Sequence, residues 1–135
     1  MVTEKVLSLL REHGIQPTPH RIAVAQCVLG DGSHPSAQRV WERVKRRHPT
    51  VSRATVYNTL NLFAAKGLVK VQVLSEGIVV FDPHVAPHHH FIDRETGAIF
   101  DVPWDAVQVT GQTSLTSFEV HEYQVVMRGR RRRRA

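Results

Sequence analysis

At Lys66-Gly67 the apolar residues change period, and that change constrains the fold of these 135 residues more than any other feature. Before it, apolar side chains recur at the three-to-four-residue spacing of amphipathic helices, in segments bounded by residues that start or stop a helix. After it, they run in short stretches separated by Gly, Ser and Asp, as in hairpins. Helices followed by hairpins give an α+β fold of two small domains.

The punctuation of the first part is specific. Thr3 is placed to cap a helix whose inner face is Val6, Leu9 and Leu10, with Gly14 as its stop. Thr18 caps a second helix with Pro19 in its first turn, where a missing N–H is not needed, and Gly30 ends it after Ile22, Ala25, Val28 and Leu29. A loop, Asp31 to Pro35, leads to Ser36, which caps a third helix with Val40, Trp41 and Val44 inward and Arg39, Arg43, Lys45, Arg46 and Arg47 mostly outward. Pro49 closes that helix. Ser52 caps the fourth, where Val56, Leu60 and Phe63 share a face. The runs Leu68–Leu74 and Ile78–Phe81 around Ser75-Glu76-Gly77 then form a two-stranded wing. Beyond it, His88–Ile92 and Ala98–Val102 predict a second hairpin, and Phe118–Met127 a further strand.

The formal net charge of +6 conceals a division. Residues 1–80 carry eleven Lys/Arg against five Asp/Glu, residues 81–127 carry one Arg against seven Asp/Glu, and Arg128 with Arg130–Arg134 supplies the rest. A basic first part suits a polyanion, and an acidic, His-rich second part suits a cation. The single cysteine, Cys27, lies in an apolar helical pattern, which predicts a buried, inert thiol and excludes both an internal disulfide and a zinc site of several thiolates. No run reaches the roughly 18 apolar residues of a membrane helix, and the start of the chain lacks a signal-peptide core. A cytoplasmic protein with no membrane partner is expected.

The fourth helix has what a DNA-reading helix requires: a firm cap, an apolar inner face and exposed polar side chains near its start. Asn58 and Asn61 both donate and accept, Tyr57 suits thymine methyls, and Arg53 and Arg21 suit phosphate or guanine. An ordinary solvated helix face would share the pattern. The arginine run reads either as a salt-sensitive phosphate contact or as a solvated end.

A second chemistry lies in the acidic part. In a strand His88 and His90 face one side while His89 faces the other, and Asp101 on the partner strand and Asp82 at the end of the wing can close on them. His34 makes a fifth candidate. Imidazoles with carboxylates form a borderline-to-hard donor set suited to Fe²⁺, Mn²⁺ or Zn²⁺. An exposed polar strand and hairpin-end carboxylates are the plain alternative.

Several segments together resemble the ferric uptake regulator (Fur) superfamily: Gly14-Ile15-Gln16-Pro17-Thr18-Pro19-His20-Arg21, His34-Pro35-Ser36-Ala37, and Ser52-Arg53-Ala54-Thr55-Val56-Tyr57-Asn58-Thr59-Leu60. Phe63, Gly67-Leu68-Val69 and the histidine cluster after Phe81-Asp82 extend the likeness over nearly the whole chain. The resemblance implies a winged helix-turn-helix DNA-binding domain (1–81) and a small α/β metal-sensing dimerisation domain (82–129), and the composition of the arginine run predicts a basic disordered tail (130–135). It implies a homodimeric, metal-dependent repressor of an inverted-repeat operator in double-stranded DNA, with Arg21, Arg53, Thr55, Tyr57, Asn58 and Asn61 facing DNA. The family's regulatory metal site falls on His34, Asp82, His88, His90 and Asp101, so one ion would bridge the domains.

Asp at position 101, where other members have Glu, resembles the peroxide-sensing branch, PerR. There Fe²⁺ reacts with hydrogen peroxide and a ligand histidine, here His34 or His88, takes up oxygen; metal and DNA are then released. Such self-inactivation is not turnover, so no enzyme is implied.

The chain departs from the pattern in three places. It has no Cys-x-x-Cys motif and hence no structural zinc-cysteine site. The positions of the family's second metal site read Pro87, His89, Gln108 and Glu122. Val107–Ser117, where a dimerisation helix is usual, has poor helix propensity. An iron-, manganese- or haem-responsive repressor of the Fur or Irr kind, the latter using a triple histidine with haem, is the nearest alternative. A non-haem iron enzyme is the alternative from another class.

Overall fold

The computed structural model describes residues 2–30, 34–75 and 78–133, in two compact units, residues 1–85 and 86–135. Asp31–Ser33 of the expected loop, Glu76-Gly77 of the expected wing turn, and Arg134 and Ala135 of the tail lie outside the described residues.

Unit 1 contains four helices and a hairpin: α1 (Thr3–Glu12), α2 (Pro19–Leu29), α3 (Ala37–Lys45), α4 (Arg53–Ala65), β1 (Lys70–Ser75) and β2 (Ile78–Asp82). Three of the caps form as the sequence predicts. Thr18, Ser36 and Ser52 accept from the backbone N–H groups of Arg21, Arg39 and Thr55, satisfying donors that the first helical turn leaves over.

Thr3 does not cap α1. Val2 takes that position without a side-chain bond, and Thr3 Oγ1 accepts from Gln26 Nε2 of α2 at 3.0 Å. A bond between helices has won over a local cap. Gly14 follows α1 at φ +70°, a conformation open chiefly to glycine, and lets Ile15 N–H reach back to Leu10 O at 2.8 Å. Gly30 also ends its helix, but in the right-handed region. Cys27 is half-buried rather than buried, because it borders an open groove beside Arg43, Arg47 and His48.

The core of unit 1 is hydrocarbon. Val6, Leu10, Val24, Val28, Val40, Val56, Leu60 and Phe63 are fully buried, one to three from each of the four helices. Full burial of such side chains contributes roughly 1.5–3 kcal/mol each. β1 and β2 pair antiparallel, Val71 opposite Phe81 and Lys70 opposite Asp82.

Unit 2 is a three-stranded sheet in the order β4-β3-β5, with β3 (His89–Asp93), β4 (Ile99–Val102) and β5 (Val126–Gly129). β4 pairs antiparallel to β3, His90 opposite Asp101, through a turn in which Asp93 Oδ1 accepts from Glu95 N–H at 2.8 Å. β5 pairs parallel to β3, His90 opposite Val126.

The expected strand from Phe118 is much shorter than its pattern suggests. Phe118–Val125 has no strand pairing, and β5 begins only at Val126, beside the bond from His90 N–H to Val125 O at 3.0 Å. The alternation along Phe118–Gln124 finds no neighbouring strand among the described residues. Between β4 and β5 the backbone forms two single 3₁₀ turns, Trp104–Ala106 and Gln112–Ser114, in place of a helix, as the composition of Val107–Ser117 predicts.

Candidate metal centre

The five candidate ligands divide between the units, and each group has its own local cause. In unit 1, Phe81 N–H donates to Pro35 O at 3.0 Å, which lays the segment before α3 along β2. His34 Nε2 then stands 3.3 Å from Asp82 Oδ2, both side chains buried, while Asp82 Oδ1 accepts from His84 N–H at 2.9 Å.

In unit 2, strand alternation sends His88 and His90 to one side, their rings edge-on at 4.6 Å. Register places Asp101 opposite His90, and its Oδ1 lies 3.4 Å from His88 Nε2 and 3.7 Å from His90 Nε2. The two imidazoles are 2% and 0% exposed and the carboxylate 37%, so the carboxylate faces solvent and the nitrogens do not.

These separations suit a shared cation. Donor atoms each about 2.1 Å from one ion and roughly 90–120° apart around it are separated by about 3.0–3.6 Å. His88 Nδ1 also lies 2.7 Å from Ala86 O. A carbonyl only accepts, so that nitrogen carries the proton, and the lone pair of His88 is left on Nε2 toward Asp101. Two imidazole nitrogens and a carboxylate form a donor set for Fe²⁺, Mn²⁺ or Zn²⁺ and a poor one for a soft ion.

His89 has a different role. Its Nδ1 accepts from Val125 N–H at 2.9 Å, which places the ring proton on Nε2, 3.2 Å from Trp104 O. The ring stacks on Trp104 at 4.7 Å, with Tyr123 beyond. Both nitrogens hold backbone together. Alternation shows that His89 turns away from His88 and His90; nothing local in the sequence marks Val125 and Trp104 as its partners.

The residues considered for DNA lie on unit 1. Tyr57, Asn58 and Asn61 are exposed on α4. Arg21, Thr55 and Asn58 line one cleft of about 300 Å³ with Thr18 and His20. Arg21 donates to Gln16 O at 2.9 Å, and Thr55 Oγ1 sits 2.9 Å from Ser52 Oγ at the cap of α4. The Arg53 guanidinium lies over the Trp41 ring at 4.4 Å, and Lys45 Nζ makes a similar contact at 4.1 Å. His20 lines the same cleft, and its position beside Arg21 at the start of α2 is the local feature in the sequence that points to it. No described helix is long and apolar enough to cross a membrane.

Residues 12–128 match the model of the ferric uptake regulator family. The chain is 28% identical over 128 residues to the peroxide-responsive repressor PerR of Staphylococcus epidermidis, covering 93% of this chain and 85% of that protein. Among solved structures, the ferric uptake regulator of Francisella tularensis with iron superposes with a TM-score of 0.71 at 21% identity, over 87% of this chain and 92% of the other. The PerR structure from Streptococcus pyogenes, described as a basis for peroxide sensing and gene regulation, gives a TM-score of 0.53 at 27% identity, over 95% and 89%.

Proposed function

The chain belongs to the ferric uptake regulator family of metal-responsive regulators, which are not enzymes, and within it we propose a repressor that senses hydrogen peroxide through a ligand histidine. The observation that carries this reading is the convergence of His88 Nε2 and His90 Nε2 on Asp101 Oδ1, with His88 Nδ1 tied to Ala86 O. The peroxide-responsive name of a relative matched along most of its length supports it.

In this reading one Fe²⁺ or Mn²⁺ ion per chain takes His34, Asp82, His88, His90 and Asp101 as ligands. Iron held by these residues would supply the redox chemistry for peroxide, whereas manganese, less readily oxidised, would leave the ligands intact. In the balance, a ring carbon of His34 or His88 exchanges its C–H for C–OH using one oxygen of hydrogen peroxide, and water carries away the other. The residues of this chain prepare that outcome. Ala86 O fixes the ring of His88, Asp101 sets its carboxylate between two imidazoles, and burial keeps bulk water from both rings. An oxidised ring is a poorer ligand, and metal affinity gained only in the DNA-binding arrangement is lost with it.

Double-stranded DNA carrying an inverted repeat is the proposed target, read by a homodimer in the cytoplasm. Arg21, Arg53, Thr55, Tyr57, Asn58 and Asn61 are its proposed contacts, supported by the exposure of the three α4 residues and by the cleft beside Arg21. The second reading is an iron- or manganese-responsive repressor without the peroxide step, favoured by the iron in a similar structure. A haem-responsive form gains nothing from His89, whose two ring nitrogens already serve the backbone.

Peptide mass spectrometry after anaerobic Fe²⁺ loading and a brief peroxide pulse tests the reading, with a Mn²⁺-loaded sample alongside. An added oxygen on His34 or His88 in the iron sample alone is expected. Unmodified histidines in both samples would transfer the assignment to the second reading. Asp101→Glu should retain metal-dependent DNA binding but blunt the oxidation, and unchanged oxidation in that variant argues against the peroxide-sensing branch.

A further inference from the structure

The family match ends at residue 128, and the sequence continues with Arg130–Arg134. Arg130, Arg131, Arg132 and Arg133 are exposed, and with Glu95 they line an open pocket of about 760 Å³ on unit 2. The run is rooted on the sheet. Arg94 N–H donates to Gly129 O at 2.7 Å at the end of β5, and the Arg131 guanidinium lies over the Phe100 ring of β4 at 4.8 Å.

Its internal neutralisation is slight. Arg130 Nη1 is 3.9 Å from Glu95 Oε1, a long pair between groups 75% and 66% exposed, so solvent screens it strongly. One carboxylate therefore faces four guanidiniums in this pocket. Guanidinium is planar, permanently charged and weakly hydrated, and its paired N–H groups match phosphate oxygens.

We infer that Arg130–Arg133 is a sequence-independent contact to the phosphate backbone of double-stranded DNA, additional to the family's DNA-reading helix. The inference rests on the reading of this chain as a DNA-binding regulator. Duplex DNA is favoured over an acidic protein or a lipid surface because the same chain carries α4, with Tyr57, Asn58 and Asn61 exposed, and eleven Lys/Arg against five Asp/Glu in residues 1–80. Tethering to a DNA reader raises the effective phosphate concentration around the run. A duplex offers that run one charge for about every 1.7 Å of axis.

The test uses the full chain loaded with Mn²⁺ and a random-sequence duplex of about 30 base pairs, titrated between about 50 and 200 mM salt. The variant carries Arg130→Gln, Arg131→Gln, Arg132→Gln and Arg133→Gln together, with Trp104 fluorescence as the check on folding. Binding at least about tenfold weaker at the low-salt end is expected, with the slope of log K against log salt shallower by about 3–4. Lysine at the same four positions should restore most of the slope. Equal affinity and slope in the glutamine variant overturns the inference, and so does an effect seen only with single-stranded RNA or anionic vesicles. Selection from a randomised duplex pool reads α4 separately. A pool that yields no preferred sequence counts against α4 as a reader, whereas the arginine run stands or falls on the random-duplex slope.

Discussion

The two units differ in what fills their interiors: unit 1 buries mainly hydrocarbon, with Thr59, Gln72 and Asp82 as its buried polar residues, and unit 2 buries polar side chains. Every hydrophobic residue that is fully buried among the described residues belongs to unit 1, whereas the buried residues of unit 2 are His88, His89, His90 and Asp93. Unit 1 excludes water with aliphatic packing, a non-directional stabilisation that asks only for the right volume in the right stripe. Unit 2 buries groups that must each find a partner, and it leaves Phe118, Leu115 and Val120 exposed. A fifty-residue unit with that interior lacks the apolar core that usually supports so short a chain. Bound metal and a second chain are the usual remedies. The contrast predicts that the helical unit holds by its own packing and that the sheet gains more from bound ligands.

The two tryptophans make the contrast measurable, since Trp41 lies in α3 and Trp104 stacks on His89. Removing metal should have the largest effect on unit 2. Relative to protein held at about 1,000 times the metal dissociation constant, chelation should lower its stability by about 4 kcal/mol, read from Trp104 emission in a Trp41→Phe variant. The Trp41 transition should shift by less, and equal shifts would break the comparison.

Phe63→Ala should cost about 3–5 kcal/mol in the Trp41 transition of a Trp104→Phe variant, with Mn²⁺ present or absent. A loss that appears only in the apo protein would tie the helical core to the metal.

His89→Leu sharpens the reading of unit 2. It deprives Val125 N–H and Trp104 O of their side-chain partner, for a cost of about 2–4 kcal/mol by urea unfolding, and should leave metal stoichiometry unchanged. A fall in stoichiometry would make His89 a ligand.

The smallest effect is expected at Ser52→Ala, which removes the cap of α4 for about 1 kcal/mol, confined to the Trp41 transition. A change in Trp104 emission would contradict that confinement.

Legibility in the sequence follows the same division. The caps at Thr18, Ser36 and Ser52 and the Val56-Leu60-Phe63 stripe depend on neighbours within a few residues, so the helices could be placed by inspection. Thr3 misled because its hydroxyl met Gln26, twenty-three residues away. Phe118–Val125 misled because a strand exists only where another strand accepts its hydrogen bonds, and β3 pairs with β5 from Val126 onward. The alternation of His88, His89 and His90 was readable, but the partners that hold His89 were not.

The sequence by itself determined the helical and strand-bearing halves, the separation of basic from acidic charge, the donor chemistry of the histidines and aspartates, and a lone cysteine, Cys27. These follow from composition, spacing and local backbone chemistry, which travel with the chain. Only the tertiary structure decided that Asp101 faces both His88 and His90, that Ala86 O directs the lone pair of His88, that Pro35 O on Phe81 N–H brings His34 to Asp82, and that Arg131 rests on Phe100. Register and long-range hydrogen bonds settle those contacts, because each joins groups that no local pattern of residues obliges to meet.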